Sequence, residues 1–316
     1  MIMKNNILNT QYSYPKSWII GFSEGEITFG LSITGKKIKC YISLPQDERD
    51  LNVLNNLKQQ LNCGFIYKDT GDRKVWYYKV TSLKELSEII IPLFEKHPLL
   101  TTKNFDLQDF KTVIEIMLKG DHLTNKGFNK IKYIHANINT KRNRINLNHN
   151  IPKIIDPYWL VGLIDAEGNF YCKVTPNKTS KLGYRVITSF SIAQRAIELP
   201  VFEFIKNYLN CGYIVINKAR INKGLLPMME YKIAGLKDLT DKLIPFLNSY
   251  PLKTSKLNDY NKFKTIVEMC NKKEHLTING LNKIRSLIPH NEFNRKKYDP
   301  QRRPYRGVSV FDTDYT

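Results

Sequence analysis

The sequence predicts an α+β protein built from two tandem αββαββα units related by a pseudo-twofold axis. Three observations carry that expectation: an internal repeat, segments in which apolar and polar residues alternate, and an apolar helix-like segment with small residues opening each copy. Residues 97–132 overlay residues 250–285 at an offset of 153, with 17 identities in 36 positions and no gap. Upstream, Leu61-Asn62-Cys63-Gly64 matches Leu209-Asn210-Cys211-Gly212 at an offset of 148, and Trp18 to Phe29 matches Trp159 to Phe170 at 141. The order is kept, and the offset changes only between strand-like segments, where hairpin loops accept insertions. The chain is therefore read as a tandem duplication.

Each copy opens with an apolar helical stretch, Ser17–Gly25 or Pro157–Ala166, followed by two alternating segments. A helical pattern comes next, with Leu51, Leu54, Leu57 and Leu61 in one copy and Phe202, Ile205 and Leu209 in the other. Two more strand-like segments follow (Phe65–Lys68 with Trp76–Val80; Tyr213–Ile216 with Glu230–Ile233), then further helices ending in a closing helix. The first repeat is expected over residues 1–135 and the second over 157–290. Residues 136–156, rich in Asn and basic residues and closed by Pro152 and Pro157, suit a linker, and residues 291–316 read as a basic tail.

Composition narrows the function class. The 316 residues carry 49 Lys and Arg against 29 Asp and Glu, a net charge of +20, and the excess is shared between the halves as +8 and +12. A folded surface that basic faces a polyanion, and nucleic acid leads. Hydrophobic residues at 42% are too many for a disordered polycation. Five cysteines without a C-x-x-C pair speak against a zinc site or a secreted disulfide framework and fit a reducing compartment. No apolar run is long enough to span a membrane, and the N-terminal segment lacks signal-peptide and transit-peptide character, so a soluble protein is expected. Abundant Asn, Ile, Lys and Tyr fit AT-rich coding DNA such as an organelle genome, with a mitochondrion expected and a chloroplast as the alternative.

The alternation divides each copy into a core face and a polar face. Ile27, Phe29, Leu31 and Ile33, with Ile38, Cys40, Ile42 and Leu44, form the first core face; Thr28, Ser32, Thr34, Lys37, Lys39, Tyr41 and Ser43 form the other. In the second copy Phe170, Cys172, Val174, Phe190 and Ile192 point inward, leaving Tyr171, Lys173, Thr175, Arg185, Ser189 and Ser191 outward. A β-face of Lys, Arg, Tyr, Ser and Thr suits phosphates and base edges, and Lys37, Lys39, Tyr41, Lys173, Arg185 and Ser189 are the candidate DNA-binding residues.

In the opening helices, Gly21 with Gly25 and Gly162 with Ala166 make stripes on which two helices can touch backbone to backbone. Each stripe runs straight into a carboxylate, Glu26 or Glu167, at the helix C-terminus, where a negative charge opposes the helix dipole. Two such groups side by side call for a cation, and hard oxygen donors facing a phosphate partner point to Mg²⁺.

These two segments resemble the paired motifs of the LAGLIDADG homing endonucleases, specifically the single-chain, two-motif type of organelle introns. Residues 160–168, Leu-Val-Gly-Leu-Ile-Asp-Ala-Glu-Gly, match closely, with Glu167 in the position of the metal-binding acid. Residues 19–27 keep the acid as Glu26 but carry Ser23-Glu24 where Ile-Asp is common and Ile27 where glycine is usual. The resemblance spans about residues 15–290, including the blocks Asp121–Gly127 and Glu274–Gly280. It implies saddle-shaped antiparallel sheets, repeats packed through the motif helices, a pseudosymmetric pair of acids on one monomer, and Mg²⁺-dependent hydrolysis of both strands of a long duplex DNA site in intron homing. It also implies cleavage across the minor groove with staggered 3′ extensions, and supporting residues at the catalytic centre: Gln46 and Gln194 at the end of the second strands, and Lys103 and Lys256 after the fourth, with Lys79 and Lys232 as rivals. An intron RNA maturase, alone or combined with nuclease activity and with intron RNA as a partner, is the alternative; a DNA-binding regulator is a second. Both acids favour the nuclease. Asn148-His149-Asn150 and Gly212-Tyr213-Ile214 lack the surroundings of other nuclease motifs, and His122 and His275 are expected to pack at helix starts.

Overall fold

A computed structural model describes residues 13–71, 74–139, 151–217 and 227–288. The basic tail at 291–316 and residues 140–150 of the expected linker lie outside them. The opening segment forms α1 (Lys16–Glu26), followed by the hairpin β1 (Thr28–Thr34) and β2 (Lys37–Asp47), then α2 (Leu51–Leu61), β3 (Phe65–Lys68) and β4 (Val75–Val80). A short α3 (Leu83–Glu85) runs through a π-helical turn into α4 (Ile91–Lys96), and α5 (Lys103–Leu118) and α6 (Asn125–Asn137) complete the lobe. The second lobe repeats this with α7 (Pro157–Glu167), β5 (Gly168–Pro176), β6 (Tyr184–Arg195), α8 (Leu199–Leu209), β7 (Tyr213–Asn217), β8 (Met228–Ile233), α9 (Leu236–Asp238), α10 (Ile244–Ser249), α11 (Lys256–Asn271) and α12 (Ile278–Leu287). Each lobe thus follows its fourth strand with further helices and a closing helix, as the repeat pattern expects. Helix α6 also runs two residues past the expected end of the first repeat at 135.

Both sheets are antiparallel, in the orders β1-β2-β4-β3 and β5-β6-β8-β7. The repeated Leu-Asn-Cys-Gly tells why α2 and α8 stop where they do. Asn62 and Asn210 adopt left-handed φ values of 51° and 50°, a conformation asparagine tolerates. Gly64 and Gly212 follow at φ 71° and 76°, and a Cβ on Gly64 would come within 2.6 Å of the Lys79 carbonyl oxygen.

The core lies between each sheet and its long helix. Phe29 meets Phe110 at 5.4 Å between ring centroids, and Phe170 meets Phe263 at 5.3 Å. Phe29, Leu31, Cys40, Ile42 and Leu44 are buried as the alternation requires, with Ile33 and Ile38 partly buried at the hairpin end. The His-Leu-Thr blocks are helix starts: Thr124 Oγ1 accepts from Gly127 N at 3.1 Å and Thr277 Oγ1 from Gly280 N at 3.0 Å. All five cysteines are free thiols, and no described helix is long and apolar enough to cross a membrane.

Candidate active site at the paired helix ends

Helices α1 and α7 lie main chain against main chain at Gly21 and Gly162. A Cβ on Gly21 would lie 1.9 Å from the Trp159 carbonyl oxygen, and one on Gly162 would lie 2.2 Å from that of Trp18. One turn on, a Cβ on Gly25 would meet Ala166 Cβ at 2.6 Å and Glu167 Oε1 at 2.9 Å. The Glu167 carboxylate therefore rests against the residue that precedes Glu26, and the two acidic helix ends abut. Both helices then leave in the same way: Ile27 has φ −72° and ψ 142°, Gly168 φ −68° and ψ 142°. The departure at Ile27 is a swap of sizes. In the second lobe a Cβ on Gly168 would meet the Ile164 carbonyl oxygen at 2.6 Å and its Cγ2 at 2.8 Å, and the first lobe relieves the second of these contacts by carrying Ser23 at the matching position.

The lysines close the site from beneath. Lys103 Nζ donates to the carbonyls of Ser23, Gly25 and Ile27 at 3.2, 3.4 and 2.7 Å. Lys256 Nζ donates to those of Ala166 and Gly168 at 3.4 and 2.7 Å. An ammonium here offsets both the carboxylates and the negative end of the helix dipole. Lys256 is half-buried as a residue, but its ammonium is enclosed, and that loss of solvent lowers its pKa; Asp165, Glu167 and Glu26 pull the other way. Gln194 Nε2 donates to Glu167 Oε1 at 3.0 Å and orients that carboxylate. Gln46 holds the matching place on β2, opposite Trp76 as Gln194 is opposite Met229. The rival Lys79 is not at a helix end. Its Nζ sits 4.1 Å from the Tyr41 ring centroid, and Lys232 pairs across the sheet with Ser191 and Tyr213.

Two further carboxylates brace the helix pair. Glu24 accepts from Leu100 N at 2.5 Å and Thr101 Oγ1 at 2.6 Å. Asp165 accepts from Thr254 Oγ1 at 2.7 Å, Lys253 N at 2.9 Å and, from the other lobe, Trp18 Nε1 at 2.8 Å. Burial pushes Glu24 up to about 7 against the lowering effect of its hydrogen bonds and of Lys103, and burial raises Asp165 as well. Glu24, with one more methylene, holds the segment before α5 as Asp165 holds that before α11, but the matching Trp159 Nε1 finds no partner among the described residues where Trp18 donates to Asp165.

On the polar sheet faces, Lys37, Lys39 and Arg185 are exposed, and Lys173 and Tyr41 half-buried. Ser189 needs correction. It lies on the expected face but is only 3% exposed, because its short side chain, paired with Tyr171 across the ladder, sits below its longer neighbours. Alternation assigned its face but not its depth. The aromatic partners of that surface went unmarked in the sequence: Tyr67 stacks on Tyr77 at 5.2 Å, and Lys79 lies over Tyr41 and Tyr67. Also unmarked were Asp50 and Glu198, two buried acids whose shared offset of 148 with Gln46 and Gln194 was the available signal.

Two duplicated lobes, joined through glycine-lined helices that each end in a carboxylate above a lysine, define a single-chain protein with a pseudo-twofold acidic centre. The family model described as LAGLIDADG endonuclease matches residues 19–114 and 160–267, and the chain belongs to that family. It is 30% identical over 301 residues to "Probable intron-encoded endonuclease 2" of Neurospora crassa, covering 86% of this chain and 64% of the relative. It is 31% identical over 292 residues to "Probable intron-encoded endonuclease 3" of the same fungus, covering 85% of this chain and 52% of that one. The chain thus spans about half to two thirds of the length of these relatives. Among solved structures, that of I-SmaMI bound to uncleaved target DNA with calcium ions superposes with a TM-score of 0.79 at 30% identity, covering 87% of this chain and 98% of the other.

Proposed function

We propose that this protein is a site-specific endonuclease of intron homing that acts as a monomer and hydrolyses both strands of a long duplex DNA target with Mg²⁺. The observation that carries the reading is the abutment of Glu26 and Glu167, each above a lysine that binds its helix end. The acids and the terminal carbonyls are hard oxygen donors, the set Mg²⁺ takes, and Gly25 leaves open the space that the Glu167 carboxylate fills. A divalent cation held there would supply Lewis acidity toward the scissile phosphates. Glu26 and Glu167 would hold it, and Gln194 steadies the Glu167 carboxylate through its hydrogen bond to Oε1. Lys256, holding its proton less tightly than an exposed lysine, suits proton exchange at Nζ with the attacking water; Lys103 is its counterpart.

Lys37, Lys39, Tyr41, Lys173 and Arg185 would meet DNA on the two sheets, and the +20 charge would draw the duplex in. The intron-encoded relatives, and a mitochondrial protein of Saccharomyces cerevisiae 24% identical over 323 residues, support a mitochondrial origin. The test is incubation of the protein with a randomised plasmid library in Mg²⁺, in Ca²⁺ and in EDTA, followed by sequencing of new ends. The reading expects one preferred site cut with 3′ extensions in Mg²⁺. Binding to that site with no cutting in Mg²⁺ would overturn it.

A further inference from the structure

We propose that Asp50 and Glu198 are positioning residues acting across the lobe interface, each fixing the start of the helix that carries the other lobe's active-site lysine. Lys103 and Lys256 are the first residues of α5 and α11, so whatever sets those helix starts sets the ammonium groups. Thr102, at the start of α5, is fully buried, and its N–H donates to Glu198 of the second lobe at 3.0 Å while its hydroxyl donates to the same carboxylate. Ser255, at the start of α11, donates from N at 2.5 Å and from Oγ at 2.7 Å to Asp50 of the first lobe.

The exchange is reciprocal, and both acids pass over a nearer use. Asp50 and Glu198 stand at the N-cap positions of α2 and α8, yet neither side chain caps its own helix. An aspartate at that position ordinarily satisfies the amides of the helix it precedes. Here each satisfies a helix in the opposite lobe, at 7% and 4% exposure, where an unanswered carboxylate would be costly. Within each lobe, Glu24 and Asp165 hold the residues just before the same helix starts, Leu100 and Thr101 or Lys253 and Thr254. Each lysine is therefore set by one acid from its own motif helix and one from the other lobe. Neither half of the centre is complete alone, because each strand's cut depends on an acid supplied by the opposite lobe.

This inference rests on the lysines serving the nuclease centre, and the experiment separates the two ideas. Single-turnover cleavage of a duplex labelled on each strand would compare Lys103→Ala, Lys256→Ala, Glu198→Gln and Asp50→Asn, with DNA affinity measured in Ca²⁺. Glu198→Gln should slow the same strand that Lys103→Ala slows, and Asp50→Asn the strand that Lys256→Ala slows, each by about 10-fold or more with affinity kept. Nicked intermediate should accumulate. Thr102→Val, which removes only the hydroxyl, should repeat the Glu198→Gln bias should that variant fold poorly, and Thr102→Ser should restore the normal rate. Equal slowing of both strands by Glu198→Gln or Thr102→Val would reduce these contacts to interface packing and overturn the proposal. If the lysine variants cut both strands normally, the catalytic reading of the lysines falls and the proposal with it.

Discussion

The two sheets have diverged further than the two helix ends. At the helix ends the charged groups recur: Glu26 with Glu167, Lys103 with Lys256, and carbonyls at matching positions binding each ammonium. On the sheets the equivalents differ. The first carries Tyr41, Tyr67, Tyr77 and Lys79 as an aromatic and cationic cluster; the corresponding positions of the second hold Ser189, Val215, Glu230 and Lys232. Hydrolysis of two chemically identical phosphodiesters asks for the same groups twice. A reading surface has no such demand, and under the proposed function two unlike faces on one chain would suit two unlike half-sites.

The sharpest way to break the symmetry of the helix ends is to neutralise one acid. Glu26→Gln or Glu167→Gln should each lower double-strand cleavage by at least about 100-fold while leaving DNA binding in Ca²⁺ largely intact. Gel assays of cleavage and of binding decide it, and normal cleavage in either variant would remove that acid from the centre. Next in size is the helix contact. Because a Cβ at Gly21 or Gly162 already collides with backbone, Leu at either position should destabilise the fold by about 3 kcal/mol or more, read from denaturant unfolding.

The sheets offer a gentler comparison. Lys79→Ala or Tyr41→Ala should cost about 1–3 kcal/mol at one or two base pairs of a single half-site, and Arg185→Ala the same in the other half. A cleavage-specificity profile that shifts in both halves for one variant would show that the lobes do not read separately. The smallest effect concerns Glu24, which titrates at about 7 when folded against an ordinary value near 4.5. Between those values the folded protein holds the proton more tightly than the unfolded chain, so this group's contribution to stability falls as pH rises through the window. Glu24→Gln should flatten that fall, worth at most about 3 kcal/mol, in unfolding curves at pH 5 and pH 8.

Much of this was legible in the sequence for a local reason. The repeat, the strand faces and the glycine-to-acid spacing are periodic features, and periodicity survives without knowledge of the fold. Ser189 shows the limit: a period of two assigns a face, but burial depends on the length of cross-strand neighbours. Lys103 and Lys79 could not be told apart, because Lys103 reaches the α1 end only once α5 has packed beneath it, 76 to 80 residues along the chain. Asp50 and Glu198 were hidden more deeply, since an acid before a helix reads as that helix's own cap, and only the docking of the lobes turns it outward to the other.

The contact of α1 with α7 has a consequence for descent. Where main chain lies on main chain, at Gly21 and Gly162, that part of the boundary carries almost no side-chain lettering, and the side-chain hydrogen bonds that join the halves, Trp18 with Asp165, Asp50 with Ser255 and Glu198 with Thr102, are few among the described residues. After a gene is doubled, its two copies ordinarily drift until their shared boundary no longer fits. A boundary written in backbone is deaf to most of that drift, so long as a few small residues stay small. The copies are then free to part company everywhere else, and a once-repeated protein can come to address a sequence with no symmetry of its own.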